Sequence, residues 1–189
     1  MRTFVPVPVG ERPTGHRRTA RVLMVDHDDR LLLFRDRDPG VPGSGWWITP
    51  GGGIEADETD RAAAVRELAE ETGAAITASQ LVGPIAARRV VHGYSDVIVQ
   101  QQETFFGVRL PGFRVDTAGH TEEERLTMTE HRWWPRAELS TTDEIVWPHS
   151  ILVMWAAWDA ASADPTRPAL DLGSVEESSV PIGRHPVED

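Results

Sequence analysis

Short apolar runs alternate with polar or glycine-rich interruptions along the first half of the chain, a rhythm that favours strands. Residues 21–25 and 31–34 are short, mainly apolar runs, and Asp26-His27-Asp28-Asp29 separates them, which predicts a β-hairpin with a polar turn. A Gly- and Pro-rich loop over 39–45 leads to a short strand, Trp46-Trp47-Ile48-Thr49, which Pro50-Gly51-Gly52-Gly53 stops. From 59 to 72 the chain is alanine-rich and charged with no Gly or Pro, and it predicts a helix that Gly73 ends as a C-cap. Residues 85–91 and 96–108 predict two longer strands joined through His92-Gly93-Tyr94. Residues 111–129 read as a polar connection with an acidic cluster at Glu122, Glu123 and Glu124, and 132–134 as one more strand. Asp143 and Glu144 precede a second helix over about 148–161, where Ile151, Leu152, Trp155 and Trp158 recur at helical spacing and predict a core-facing stripe.

This pattern divides the chain into an N-terminal extension (1–17), a central domain (18–161) and a tail (162–189). The tail turns to Pro, Ser, Asp and Glu and is expected to be poorly ordered. In the extension, the Val- and Pro-rich residues 4–9 are expected to form an edge strand, and a homodimer paired through it is one expectation. There is no internal repeat.

Composition narrows the class. The chain has 189 residues, 40% of them hydrophobic, enough for one core with room for an appendage. No apolar run approaches the ~20 residues of a membrane span. The N-terminus lacks the apolar block of a signal peptide, and there is no cysteine. A soluble, cytoplasmic protein is expected, with no disulfide framework, thiolate metal site or cysteine nucleophile. The net charge of −11 argues against a nucleic-acid polymer as partner, because such binders neutralise phosphates with basic surface. A small phosphorylated ligand bridged by a metal ion remains compatible. Every Lys/Arg position is arginine, so a direct cationic contact to phosphate comes from an arginine fork or a protonated histidine.

The chemistry concentrates in residues 52–74. At about 100° per residue, Glu67, Glu70 and Glu71 fall within one quadrant of the predicted helix, and Ala62, Val65, Leu68 and Ala69 gather on the other side. Like charges at this spacing repel by a few tenths of a kcal/mol per pair, roughly, so helix energetics alone does not reward the arrangement. Hard cations do, since Mg²⁺ and Mn²⁺ take carboxylate oxygens. A solvated acidic face is the alternative reading. Glycine backbone just before the helix lets a phosphate or metal approach closely. Glu58, at the helix start, suits the helix dipole and is placed to take a salt bridge from Arg66 that braces loop against helix.

Gly52, Glu58, Arg66, Glu67, Leu68, Glu70, Glu71 and Gly73 stand at the spacing of the Nudix box, and on these residues the chain resembles the Nudix hydrolases. Ala74 is smaller than the family's usual aliphatic residue there. The weaker likeness of 46–53 and of Arg132-Trp133-Trp134 with Glu138-Leu139 extends the resemblance over about 18–160. It implies an α/β fold, an α/β/α sandwich around a mixed, curved β-sheet. It implies a hydrolase that cleaves a diphosphate linkage in a nucleoside diphosphate joined to another moiety, by attack of water on phosphorus. Glu67, Glu70 and Glu71 would bind Mg²⁺ or Mn²⁺ with the Gly52 carbonyl, and Gly51, Gly52, Gly53 and Arg35 would face the substrate phosphates. A carboxylate, Glu124 in preference to Glu123, Glu103 or Glu130, would take the proton. Tyr94, Trp47, Phe105 and Trp133 are candidates to stack on a base, although strand aromatics are usually core.

The resemblance leaves nucleoside triphosphates, including oxidised ones, as the default substrate, with ADP-ribose-like nucleotide sugars next. A Nudix-fold isomerase would use a cysteine that is missing here. The alternative from another class is a non-catalytic nucleotide-binding or regulatory module. Modules of that kind carry damaged boxes, whereas every acid of this one is intact.

Overall fold

The computed structural model describes residues 2–164 and 166–183. Its strands and helices run β1 (Thr14–Val25), β2 (Arg30–Asp36), β3 (Trp46–Ile48), β4 (Gly51–Gly53), α1 (Asp60–Thr72), β5 (Val82–Gly93), β6 (Ile98–Arg109), α2 (Glu122–Thr127), β7 (Glu130–Pro135), α3 (Arg136–Leu139), β8 (Val146–Trp147), α4 (Ile151–Ala163) and β9 (Leu170–Glu176). The sheet runs β8-β3-β2-β1-β6-β5-β9, with β4 paired to β1 and β7 to β2. β1 pairs in parallel with β6 along its whole length, while β2 and β4 pair antiparallel to it, so the sheet is mixed.

Alternation along the strands builds two cores. Ala20, Val22 and Met24 of β1 pack with Leu32, Phe34 and the Ala63, Ala64 and Leu68 face of α1. Leu23 and Val25, pointing the other way, pack with Leu31, Leu33, Trp47 and Phe105 against Ile151, Met154, Trp155 and Trp158 of α4. Residues 22–25 are uninterruptedly apolar because this stretch of sheet is covered on both faces, the arrangement of an α/β/α sandwich. Among the described residues no helix is long and apolar enough to cross a membrane.

Several elements differ from the sequence pattern. β1 begins at Thr14 and includes the polar His16, Arg17 and Arg18, which β6 holds in register although no apolar alternation marks them. Residues 4–9 form no strand; Pro6 and Pro8 cannot donate to a ladder. The segment lies against its own chain instead, through Val7 N–H to the Ser95 carbonyl (2.8 Å), Arg2 on Asp96, and Arg12 on the Val7 and Pro181 carbonyls. The polar connection contains α2. The expectation of a poorly ordered tail fails for residues 170–176, which add β9 in parallel to β5; residues 184–189 lie outside the described part.

The chain after β9 is tied down by His92 of β5. Its Nδ1 donates to the Glu177 carbonyl (2.6 Å), and its ring is shut in beside Trp147 and Tyr94. Burial lowers its pKa from 6.5 to about 4, so the ring is neutral near pH 7. The unfolded chain therefore takes up a proton between these values that the folded chain refuses. Stability from this group is complete above pH 6.5 and is lost as pH falls towards 4, by about 3 kcal/mol at ~1.4 kcal/mol per unit. Urea midpoints measured from pH 7 down to 4.5 should fall accordingly, and His92→Asn should flatten that slope; an unchanged slope in the variant would refute the assignment.

Candidate active site

Helix α1 is set in phase by its ends. The Thr59 side chain accepts from the Ala62 N–H, and Gly73, at φ 75°, closes the last turn on the Ala69 carbonyl. In that phase the helix buries Ala63, Ala64, Glu67, Leu68, Glu71 and Thr72. The face expected from sequence is thus corrected: Ala62 and Ala69 are exposed, and Glu67 and Glu71 lie beside the buried face. Glu70 alone turns outward, half exposed, and bonds to Arg66 (3.1 Å). The alanines are too alike to announce which of them faces the core.

Arg66 braces the box. Its guanidinium binds both oxygens of Glu58 (3.1 and 2.9 Å), one of Glu67 (2.9 Å) and the Gly53 carbonyl (2.8 Å). The pairing with Arg66 holds the Glu58 carboxyl below its ordinary range. This is the loop-to-helix brace expected of Glu58 and Arg66.

The glycine turn meets the acids. The Gly51 N–H donates to Glu71 Oε2 (2.7 Å), and the Arg21 guanidinium holds the turn from behind through the Thr49 (3.1 Å) and Gly51 (2.7 Å) carbonyls. Gly51 has φ 127°, and a side chain there would overlap the Ala20 carbonyl. A Cβ on Gly52 would stand 2.7 Å from the Glu67 carboxylate. Gly51, Gly52 and Gly53 all line a cavity of about 550 Å³, with Glu67, Glu71, Glu123 and Glu124.

Glu124 arrives from α2. Thr121 and Glu124 form a reciprocal capping box, the Glu124 N–H on Thr121 Oγ1 (3.2 Å) and the Thr121 N–H on Glu124 Oε2 (2.6 Å). The loop before it is docked on α1: the Asp116 N–H donates to the Thr72 carbonyl (2.8 Å), and His120 Nε2 donates to the Glu71 carbonyl (3.0 Å). As a result Glu67, Glu71 and Glu124 each offer a carboxylate oxygen within 4.8 Å of the others. Burial raises the Glu71 carboxyl well above its ordinary pKa; Arg21 and the Gly51 N–H oppose this, and Glu67 and Glu124 add to it. Burial raises Glu67 likewise, against Arg66. Two buried acids facing a third that is part-buried make a place where a cation is electrostatically favoured.

The other expected residues are dispersed. Arg35 does not line the cavity. On β2 it shares a face with Leu31 and Leu33, towards α4, where it pairs with Glu144 and lies over Trp47 (5.6 Å). The arginines that do line the cavity are Arg2, Arg17, Arg21 and Arg37, of which Arg17 and Arg37 had no sequence signal beyond charge. Arg17 uses only Nε, on Gln101 (2.8 Å), and Arg37 only Nε, on the Leu126 carbonyl (3.0 Å), among the described residues. Glu103 is buried in an ion pair with Arg88 (2.7 Å), which removes it as a base, and Glu130 is in β7, outside the cavity lining. Of the candidate stacking aromatics only Tyr94 lines the cavity; Arg2 lies over it and over Phe4, 4.8 Å from each ring centre. Trp47 and Phe105 are core, and Trp133 packs against it.

A family model described as NUDIX domain matches residues 15–156. An uncharacterized Nudix hydrolase of Bacillus subtilis is 43% identical over 56 residues, 30% of this chain and 32% of its own length. An RNA pyrophosphohydrolase of Acidiphilium cryptum is 32% identical over 112 residues, 53% of this chain and 67% of its own length. The chain thus spans between a third and two thirds of these relatives. Among solved structures, the mutator MutT protein from Bacillus halodurans superposes with a TM-score of 0.53 at 20% identity, covering 86% of this chain and 91% of that one, a likeness of fold.

The glycine geometry yields a paired expectation. Gly52→Ala should push the Glu67 carboxylate aside and weaken Mn²⁺ binding by tenfold or more, roughly the loss seen when a ligand's support is removed. Gly53→Ala, where a Cβ meets nothing within 4 Å, should bind Mn²⁺ as the parent does. Titration of free Mn²⁺ by electron paramagnetic resonance distinguishes the two; equal affinities would remove Gly52 from the site.

Proposed function

The chain belongs to the NUDIX family, and from that premise we propose that it is a pyrophosphohydrolase, directing water onto phosphorus in a phosphoric anhydride of a nucleoside diphosphate joined to another moiety. The observation that carries the reading is the meeting of Glu67 and Glu71 of an intact box with Glu124, three carboxylates within 4.8 Å, in a cavity also lined by arginines.

The donor set fits a hard divalent cation, Mg²⁺ or Mn²⁺: oxygen ligands only, one of them deeply buried with a single N–H donor on it. Glu67 and Glu71 would hold it, Glu70 belongs to the proposed set as the acid that exchanges its Arg66 contact for the ion, and Glu124 faces the same place from α2. When bound, the ion offsets phosphate charge and opens phosphorus to attack. The protein's own groups do the rest. Arg17 and Arg37, whose terminal nitrogens have no partner among the described residues, take over the phosphate contact expected of Arg35. Gly52 keeps the approach to Glu67 clear, and Gly51 and Gly53 complete the turn that lines the cavity beside it. Glu124, the least buried of the three, commits one oxygen to its helix cap and leaves the other to accept the proton from water.

The cavity has the size of a small-ligand site. Together with the net charge of −11 this supports a small nucleotide over a polymer. Nucleoside triphosphates, oxidised ones included, are the first substrates to try, then ADP-ribose-like nucleotide sugars. A cytoplasmic setting fits a chain without cysteine.

Incubation with Mg²⁺ or Mn²⁺ and a panel of these compounds, read by phosphorus NMR, should show cleavage at a diphosphate that EDTA abolishes. Glu71→Gln should cost more than the roughly 100-fold typical of a supporting group, and Glu70→Gln less than Glu71→Gln. Tight nucleotide binding without cleavage would instead favour a regulatory module, and turnover surviving Glu71→Gln would place the active site elsewhere.

A further inference from the structure

Arg21, which secures the Gly51 turn, is the inner end of a line of buried charges. Its Nε faces Glu103 Oε1 at 3.5 Å; Glu103 Oε2 accepts from Arg88 Nε (2.7 Å); and Arg88 Nη2 donates to Glu177 Oε2 (2.8 Å). The side chains of all four are at most 7% exposed. The remaining Glu177 oxygen accepts from the His149 N–H (2.8 Å), and its backbone is held by Val91 and His92. Positive and negative alternate, so the set is neutral as a whole. Burial alone would raise the Glu103 carboxyl, yet Arg21 and Arg88 together bring it below its ordinary pKa.

Glu177 lies outside residues 15–156, the part matched by the family, on the segment that follows β9. We infer that Glu177 is a positioning residue of the active site: it completes the charge set that lets Arg21 stand beside the cation-binding carboxylates. This rests on the reading of Glu67, Glu71 and Glu124 as the cation site. The physical ground is that Arg21 borders Glu71, and an uncompensated buried guanidinium there repels an incoming divalent ion. Glu103 provides the compensation, but it is shared with Arg88. The Arg21–Glu103 contact is the longest link, and Arg21 Nε has no hydrogen-bond partner among the described residues. With Glu177 neutral, Arg88 is left with Glu103 alone and draws it from Arg21. The inner pair weakens, the Gly51 turn loosens and the cation site loses affinity.

The test uses the full chain and Mn²⁺ as probe, read by electron paramagnetic resonance and by the Mn²⁺ dependence of turnover. Glu177→Gln should weaken Mn²⁺ binding about tenfold, the scale of lost support around a metal ligand, with nucleotide KM at saturating Mn²⁺ little changed. The double variant Arg88→Met/Glu177→Gln removes one charge of each sign and restores Arg21 and Glu103 as a closed pair. It should recover most of the lost affinity. If Glu177→Gln does not fold, the comparison of Arg88→Met alone with the double variant tests the same inference: the double should bind Mn²⁺ as Arg88→Met does, because the inner pair is already closed in both. A purely structural role for Glu177 predicts that the double is worse than either single variant, and that result overturns the inference. Equal Mn²⁺ affinity in the parent and Glu177→Gln overturns it too, leaving the site reading intact. A parent that binds no Mn²⁺ sinks both.

Discussion

A carboxylate withdrawn from water has to be answered by opposite charge or by hydrogen bonds, and Glu71 is the residue on which that constraint falls hardest. The Gly51 N–H answers it once and Arg21 answers it from the side. Neighbouring Glu67 and Glu124 increase the demand. The rest of the local structure serves this balance. The caps of α1 fix its phase so that Glu67 and Glu71, one turn apart, enter the same recess, and Gly52 leaves room where a side chain would collide with Glu67. Arg66 holds the rim with five contacts to Glu58, Glu67, Glu70 and Gly53. Such a recess is unfavourable for the protein alone and favourable with a cation in it, a trade between stability and activity that many sites make.

Spacing along a helix is a strong signal, and the acids of α1, its Thr59 and Gly73 ends, the Glu58–Arg66 brace and the α4 stripe were all legible from it. Direction was harder. Alanine-rich α1 has too little contrast to declare its buried face: Glu67 and Glu71 fall on that face, and of the three acids only Glu70 lies outside it. Arg35 carried the charge expected of a phosphate contact, but a motif says nothing of sheet faces. The period of two through Leu31 and Leu33 points Arg35 to α4. α2 had a local signature, Thr121 three residues before Glu124, that the acidity of the stretch obscured. The polar half of β1 and the strand β9 had none: partners distant in sequence impose their conformation.

The segments beyond the matched domain are integral to the cavity region. Arg12 reaches the Pro181 carbonyl, joining the two ends of the described chain. Asp38, on the cavity wall, accepts from Ser95 and from Ser179, so the chain after β9 steadies the wall directly. Arg2 and Phe4 form part of the rim with Tyr94. Domains of one fold differ in function through such additions. In this chain the additions are placed where a ligand would meet them.

The parallel union of β1 with β6 has a consequence for the birth of the protein. Thr14 lies beside Ile98 and Val25 beside Arg109, so every rung of that ladder closes a loop of 84 residues. Loops of that span are slow to close, and parallel pairing gives no reward until they do. While the chain leaves the ribosome, α1 can form early with its acids in place and β1 and β2 already beside it, yet the sheet beneath it is incomplete until residue 109 has emerged. Arg88, Glu103 and Glu177 are all synthesised after the turn they help to hold. The box is therefore translated well before the recess is built, and the three carboxylates come together only once the later strands and α2 have joined the fold.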